Sequence, residues 1–200
     1  QITVGDVDRP PEIEPTGDKE VAEGNSLNFT VTASDPDGDD VSLSASGVPS
    51  GATFDNSTGE FSWSPGYDAA GSYDVTFTAD ANGQSVSKTV TITVTETNRA
   101  PELDSIANKT VKEGNSLSFD VTGNDPDGDD LSYSASGDLV EYFDTNTQTF
   151  SWTPGSEDAG TYEIAFKVSD GSKSDTETVQ ITVEDVDRPP EIEPIGDKEV

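Results

Sequence analysis

The sequence predicts an all-β protein: tandem seven-stranded antiparallel Greek-key β-sandwiches. Three observations predict this. Short runs alternate apolar residues with Thr, Ser or Asn, as in Leu27-Asn28-Phe29-Thr30-Val31-Thr32 and Thr89-Val90-Thr91-Ile92-Thr93-Val94. A period of two, rich in β-branched residues, marks half-buried strands. No run holds helical spacing over a useful length. Finally, the chain repeats itself at close to 90 residues, so whatever one copy folds into, the other copies.

In the first copy the strands fall near 18–22, 26–33, 41–45, 52–55, 60–64, 72–79 and 86–95. Residues that favour turns mark most breaks: Glu23-Gly24-Asn25, Pro49-Ser50-Gly51, Asp55-Asn56-Ser57-Thr58-Gly59, Pro65-Gly66 and Asn82-Gly83. Seven strands in about 90 residues is the density of a two-sheet sandwich. Trp63, Trp152, Tyr73, Tyr162, Phe29 and Phe119 stand at apolar-phase positions and are assigned to the cores. Large aromatics supply the burial that a hydrophobic content of only 30% otherwise lacks.

The repeat also sets the boundaries. Arg9-Pro10-Pro11-Glu12 returns as Arg99-Ala100-Pro101-Glu102 and again as Arg188-Pro189-Pro190-Glu191. Phe61-Ser62-Trp63-Ser64-Pro65-Gly66 returns as Phe150-Ser151-Trp152-Thr153-Pro154-Gly155. We therefore divide the chain into the last strand of a preceding repeat (1–7), repeat 1 (8–98), repeat 2 (99–187) and the first strand of a following repeat (188–200). Residues 1–21 and 180–200 agree at 19 of 21 positions, whereas 91–111 agree with 1–21 at only eight. The unit copied most recently is thus the pair of repeats, and the chain reads as an excerpt of a longer array. The connector Thr95-Glu96-Thr97-Asn98-Arg99-Ala100-Pro101 is short and carries Pro, so it is stiff.

Composition narrows the partners. With 41 acidic and 10 basic residues the formal charge is -31, which is the wrong sign for nucleic acid or an anionic membrane surface. No stretch has the length and apolarity for membrane insertion. There is no Cys and no His, so disulfides, thiolate zinc sites and His- or Cys-based catalytic triads are excluded. Paired carboxylates can cleave glycosides, but acids this dense pair by chance. They also recur at repeat junctions rather than lining one cleft, so the expectation is that this is not an enzyme.

The acids are placed, not scattered. Asp35-Pro36-Asp37-Gly38-Asp39-Asp40 returns letter for letter as Asp125-Pro126-Asp127-Gly128-Asp129-Asp130, with four carboxylates in six residues. Pro and Gly make each a rigid turn. Four charges held so close repel unless a cation lies among them, and Ca2+ accepts oxygen-only ligands in irregular geometry. The bland alternative is a solvated acidic turn. The spacing is not that of an EF-hand, since Gly38 is fourth and Ser46 twelfth from Asp35.

The ordered set resembles a known family. A strand with Val-x-Glu-Gly is followed by a Phe/Val strand and Asp-Pro-Asp-Gly-Asp. Then come Phe-Asp, Phe-Ser-Trp-x-Pro, an acid before Gly-x-Tyr, and an acidic linker ending in Pro. The chain resembles cadherin-like (dystroglycan-type) tandem repeats of microbial cell-surface proteins. That resemblance implies a cadherin/immunoglobulin-like fold with calcium at each junction. At the central junction it implies Glu23, Asp68, Glu96, Asn98, Asp125, Asp127 and Asp170 as ligands. At the preceding one it implies Asp6, Asp8, Asp35, Asp37 and Asp80, and at the following one Glu113, Glu157 or Asp158, Asp185 and Asp187. The chain departs from the family pattern at Asp68-Ala69-Ala70, Thr95 and Asn98, which implies fewer or weaker ions at the central junction. Asp39, Asp40, Asp129 and Asp130 read as secondary ligands or solvated charge.

The function so implied is a calcium-stiffened rod segment of a large extracellular, cell-surface protein, such as an adhesin stalk, surface-layer or filament component. Its partners are neighbouring repeats, and beyond them other copies or surface glycans. Two alternatives stand beside it. One is a carbohydrate-binding module, for which Tyr67 and Tyr142 are the exposed aromatic candidates. The other is an acidic spacer adapted to salt, without specific calcium sites. Asn28, Asn56 and Asn108 match the N-glycosylation pattern, and Asn56, in a turn, is the best placed.

Overall fold

The computed structural model describes residues 7–190. Asp6, most of the segment assigned to the preceding repeat and residues 191–200 lie outside the described residues. The chain divides between Asn98 and Arg99 into two compact units, each with its own core.

In the first unit, β2 (Lys19–Ala22), β9 (Gln84–Thr95), β8 (Gly71–Ala81) and β5 (Ser42–Ser46) form one sheet in that order. The opposing sheet is β3 (Leu27–Thr30), β7 (Glu60–Trp63) and β6 (Thr53–Asp55). β1 (Glu12–Ile13) and β4 (Ala33–Ser34) add a small antiparallel bridge. All seven predicted strands are present. The alternation explains which face each strand buries: Val75, Phe77, Ala79 and Ala81 point inward from β8, while Asp74, Thr76, Thr78 and Asp80 point out.

The second unit repeats this arrangement. β11 (Lys109–Lys112), β18 (Ser174–Glu184), β17 (Gly160–Ser169) and β14 (Ser132–Gly137) form the four-stranded sheet. β12 (Leu117–Asp120), β16 (Thr149–Trp152) and β15 (Phe143–Asp144) form the opposing sheet. β10 (Glu102–Leu103) and β13 (Gly123–Asn124) pair as β1 and β4 do.

Three features differ from the expectation. The strand expected over 26–33 is broken, with β3 ending at Thr30 and Ala33–Ser34 pairing with β1 instead. The pairing is antiparallel throughout except that β2 runs parallel to β9, and β11 parallel to β18. The β8–β9 hairpin is also longer than predicted. Asn82-Gly83 closes it in two residues with both φ positive, at 49° and 85°, so the ladder runs to Ala81↔Gln84.

The aromatics are core, as expected. Phe61 and Phe150 are fully buried, and Phe29 and Phe119 stack on them at ring-centroid distances of 4.9 and 5.0 Å. Trp63 meets Tyr73 edge-on at 4.9 Å, and Trp152 meets Tyr162 at 5.2 Å. Gly59 is required where it stands: its φ is 71°, and a Cβ there would lie 2.1 Å from the carbonyl oxygen of Val31.

Candidate metal centre

The two acidic turns fold alike. In the second unit, Oδ1 of Asp125 accepts the amide protons of Asp127 at 2.8 Å and Asp129 at 3.3 Å. The carbonyl of Asp125 accepts the amide of Gly128, whose φ of 82° closes the turn. In the first unit Asp35 makes the same three bonds, to Asp37, Asp39 and Gly38. Each turn's first Asp is therefore held from inside by the turn, one oxygen fixed and the other left over.

That remaining oxygen is the notable one. Asp125 is only 8% exposed, and its Oδ2 is buried without a hydrogen-bond partner. Oδ2 of Asp35 is likewise buried and unmatched. A buried carboxylate oxygen with no donor is costly unless a cation completes it. Asp129 and Asp170 stand beside Asp125, with one oxygen from each of the three lying within 4.8 Å of the others. Among the described residues this is the group of three acids that could hold a metal ion. Asp170 is fixed by the β17–β18 turn, where its Oδ1 accepts the amides of Ser172 and Lys173. Asp129 titrates above the ordinary carboxylate range, first from desolvation, then from the charges of Asp125, Asp127 and Asp170.

Asp127 and Asp37 each receive an arginine. Nε of Arg99 donates to Asp127 at 2.7 Å, its Nη2 reaches the same oxygen at 2.7 Å, and its main-chain amide donates to Oδ2. Nη2 also donates to the carbonyl of Pro126 at 2.6 Å. Arg9 binds Asp37 and Pro36 in the same way. The arginine hydrogen bonds hold both carboxyls below their usual range.

In the first unit the residues around the turn differ. Asp8 accepts Nε2 of Gln84 at 2.8 Å and lies against Asp39, beside an open pocket lined by Asp8, Asp37, Asp39 and Asn82. Desolvation first, then the charges of Asp35 and Asp8, raise the Asp39 carboxyl. The strand register sets Asp80 apart from this set. Asp80 pairs with Ser42 and Ser85 and points out of the sandwich, matching Ser169 in the second unit. Asp170 matches Ala81, which is buried. The physical reason is one extra residue between the acidic turn and Phe61, which reduces the repeat spacing from 90 to 89.

At the other end of each unit the glutamates act on the backbone. Glu23 is 3% exposed, and its Oε1 accepts the amides of Ala69 at 2.8 Å and Ala70 at 2.7 Å. Its Oε2 accepts the amide of Thr97 at 3.1 Å, so the departing connector is tied to the unit's base. Glu113, 5% exposed, accepts the amide of Val186 and Nη2 of Arg188 on Oε2, while its Oε1 is buried and unpartnered. Asp68, Glu96, Glu157, Asp185 and Asp187 are exposed, whereas Asn98 and Asp158 are half-buried. Oδ2 of Asp158 accepts the amide of Gly155.

Sequence reasoning left Asp129 unassigned between ligand and solvated charge, and did not see the arginines at all. The 89-residue spacing of the Phe-Ser-Trp elements was the available signal that Asp80 and Asp170 are not equivalent. The glycosylation candidates separate: Asn56 is exposed in its turn, Asn28 is exposed on β3, and Oδ1 of Asn108 accepts the amide of Gln180.

Comparison with known proteins agrees with the fold. Residues 10–95 match the family described as "Putative Ig domain", and residues 98–182 the family described as "Bacterial Ig domain". A 137-residue stretch is 32% identical to Chitinase A of Pseudoalteromonas piscicida, covering 66% of this chain but only 17% of the chitinase. Among solved structures, human Protocadherin-24 EC1-2 superimposes with a TM-score of 0.54 at 18% identity, over 88% of this chain and 99% of that one. The chain is thus a tandem of immunoglobulin-like domains, with the sandwich fold that the protocadherin repeats also have. Among the described residues, no helix is long and apolar enough to cross a membrane.

Proposed function

We propose that this tandem of immunoglobulin/cadherin-like repeats is a calcium-binding, non-catalytic segment of a repeat array in an extracellular surface protein, an adhesin stalk, surface-layer or filament component. The observation that carries it is the buried, unpartnered Oδ2 of Asp125 in a carboxylate shared with Asp129 and Asp170. Calcium suits the spacing. Oxygens up to 4.8 Å apart can share an ion whose bonds are about 2.3–2.6 Å, whereas magnesium, at about 2.0–2.1 Å, needs a tighter octahedron. The ion would neutralise facing charges and immobilise the turn against the β17–β18 hairpin, which stiffens the entry of the repeat. Cell-surface placement follows from the same reading, because extracellular calcium modules bind at about 10⁻⁴–10⁻³ M, where cytosolic calcium would leave them empty.

The test is thermal melting of the chain in calcium, in magnesium and in chelator at matched ionic strength. Calcium-specific stabilisation, lost in Asp125→Asn, is expected. An equal response to sodium chloride alone would replace this reading with an acidic spacer adapted to salt.

A second reading is favoured by one observation, the similarity to part of a chitinase. In it the repeats bind polysaccharide through exposed aromatics. Tyr67, 47% exposed, and Tyr142, 36% exposed, are the candidates. Retention on insoluble chitin, abolished by Tyr67→Ala or Tyr142→Ala, would support it.

A further inference from the structure

We propose that Arg99 is a resident cation: its guanidinium occupies the second carboxylate of the acidic turn, so that the cluster of Asp125, Asp129 and Asp170 takes one divalent ion and Asp127 takes none. The inference rests on the reading of that cluster as a metal centre and concerns how many ions it holds and which carboxylates bind them.

The argument starts from charge. The turn and the neighbouring hairpin bring Asp125, Asp127, Asp129 and Asp170 together, four negative charges in one place. Asp127 is the exception. It lies among the same acids, yet Arg99 donates to it from both its guanidinium and its main-chain amide. Three arginine donors converge on its two oxygens, leaving little of either for a metal. The side chain of Asp127 is 10% exposed and that of Arg99 30%, so the pair is only partly open to solvent.

The geometry is also selective for arginine. Nε and Nη2 of Arg99 both reach Oδ1 of Asp127 while Nη2 also meets the Pro126 carbonyl, a planar spread of donors that the single ammonium of lysine does not reproduce. The same fork recurs on Asp37 and Pro36 in the first unit, so the arrangement is repeated rather than incidental. In both units the arginine lies in the segment that enters the repeat and the aspartate is the third residue of the turn. The pairing therefore fixes the entering segment to the turn before any metal arrives. With Asp127 held by Arg99, a single divalent ion meets the carboxylates of Asp125, Asp129 and Asp170.

A double-mutant cycle on the full chain tests this, with calcium as the probe and calorimetry and terbium luminescence as readouts. The double variant Arg99→Gln/Asp127→Asn removes one charge of each sign. It is expected to bind calcium at the second unit's turn with unchanged number and within about twofold of the parent affinity. Arg99→Gln alone frees a carboxylate and is expected to bind calcium at least about tenfold more tightly or to take up one additional ion. Arg99→Lys is expected to fall between Arg99→Gln and the parent. Asp125→Asn defines which binding belongs to this cluster, and its near-ultraviolet spectrum confirms folding. If the double variant loses calcium as Asp125→Asn does, Asp127 is a ligand and the proposal is overturned. Unchanged number and affinity in Arg99→Gln also overturn it while leaving the metal centre intact. If the parent chain itself binds no calcium, the metal reading fails, a result distinct from either of these.

Discussion

Asp127 receives both the main-chain amide and the guanidinium of Arg99, 28 residues away, and Asp37 receives the same groups from Arg9. Each repeat thus attaches an arginine of its entering segment to its own acidic turn. With calcium chelated, Asp37→Ala or Asp127→Ala should lower the melting temperature and raise hydrogen exchange at the Arg9 or Arg99 amide. The effect should shrink in 1 M salt, where exposed charge pairs are screened.

Calcium should stabilise the chain by mass action. At a concentration one hundred times the dissociation constant, one site adds about 2.7 kcal/mol to unfolding of the unit that holds it. Differential scanning calorimetry should show one transition moving and Asp170→Asn abolishing the movement. Asp80→Asn should leave the calcium response unchanged, because that side chain points out of the sheet opposite Ser42 and Ser85.

Glu23 should matter for stability rather than for metal affinity. Its carboxylate serves the amides of Ala69, Ala70 and Thr97. Glu23→Ala leaves those donors without partners and should cost about 1–3 kcal/mol in urea unfolding. Glu23→Gln, which keeps an acceptor oxygen, should cost less.

Core truncation should be more damaging. Phe61 and Phe150 are fully buried and stacked on Phe29 and Phe119. Phe61→Ala or Phe150→Ala should each cost about 3–5 kcal/mol, and each should lower the melting transition of its own unit.

Two turn aspartates predict an acid-sensitive contribution. Hydrogen bonds from the Ser57 hydroxyl and amide hold the Asp55 carboxyl below 3.8, its ordinary value, and the Asn146 amide does the same for Asp144. A carboxyl lowered on folding stabilises fully above its unfolded value, and that gain is lost as pH falls through the folded one. The stability difference between the parent and Asp55→Asn should therefore be constant above about pH 5 and shrink below 3.8.

The strands were legible in the sequence because alternation reports burial, and burial is what the sandwich imposes on Val75, Phe77, Val90 and Ile92. Direction was not. Lys19-Glu20-Val21-Ala22 alternates identically whether it pairs parallel or antiparallel, so its parallel match to Ile92-Thr93-Val94-Thr95 had no signature. Glu12-Ile13 and Ala33-Ser34 are too short to show any period. At the site, the turn could be read from residue type and order, whereas Asp170 came only with the family resemblance. Asp129 could not be separated from solvated acids, because exposure and approach are set by the fold. The Arg99–Asp127 pair spans 28 residues, and nothing local to either end announces it.

The parallel match of β2 with β9 has a mechanical consequence. The first and last strands in sequence of each four-stranded sheet run in the same direction, side by side. A pull on the two chain ends therefore slides these neighbours past one another and loads all four rungs of their ladder together, instead of peeling them apart singly. A molecule assembled from such units would resist tension through its main chain, whatever fills the acidic turns.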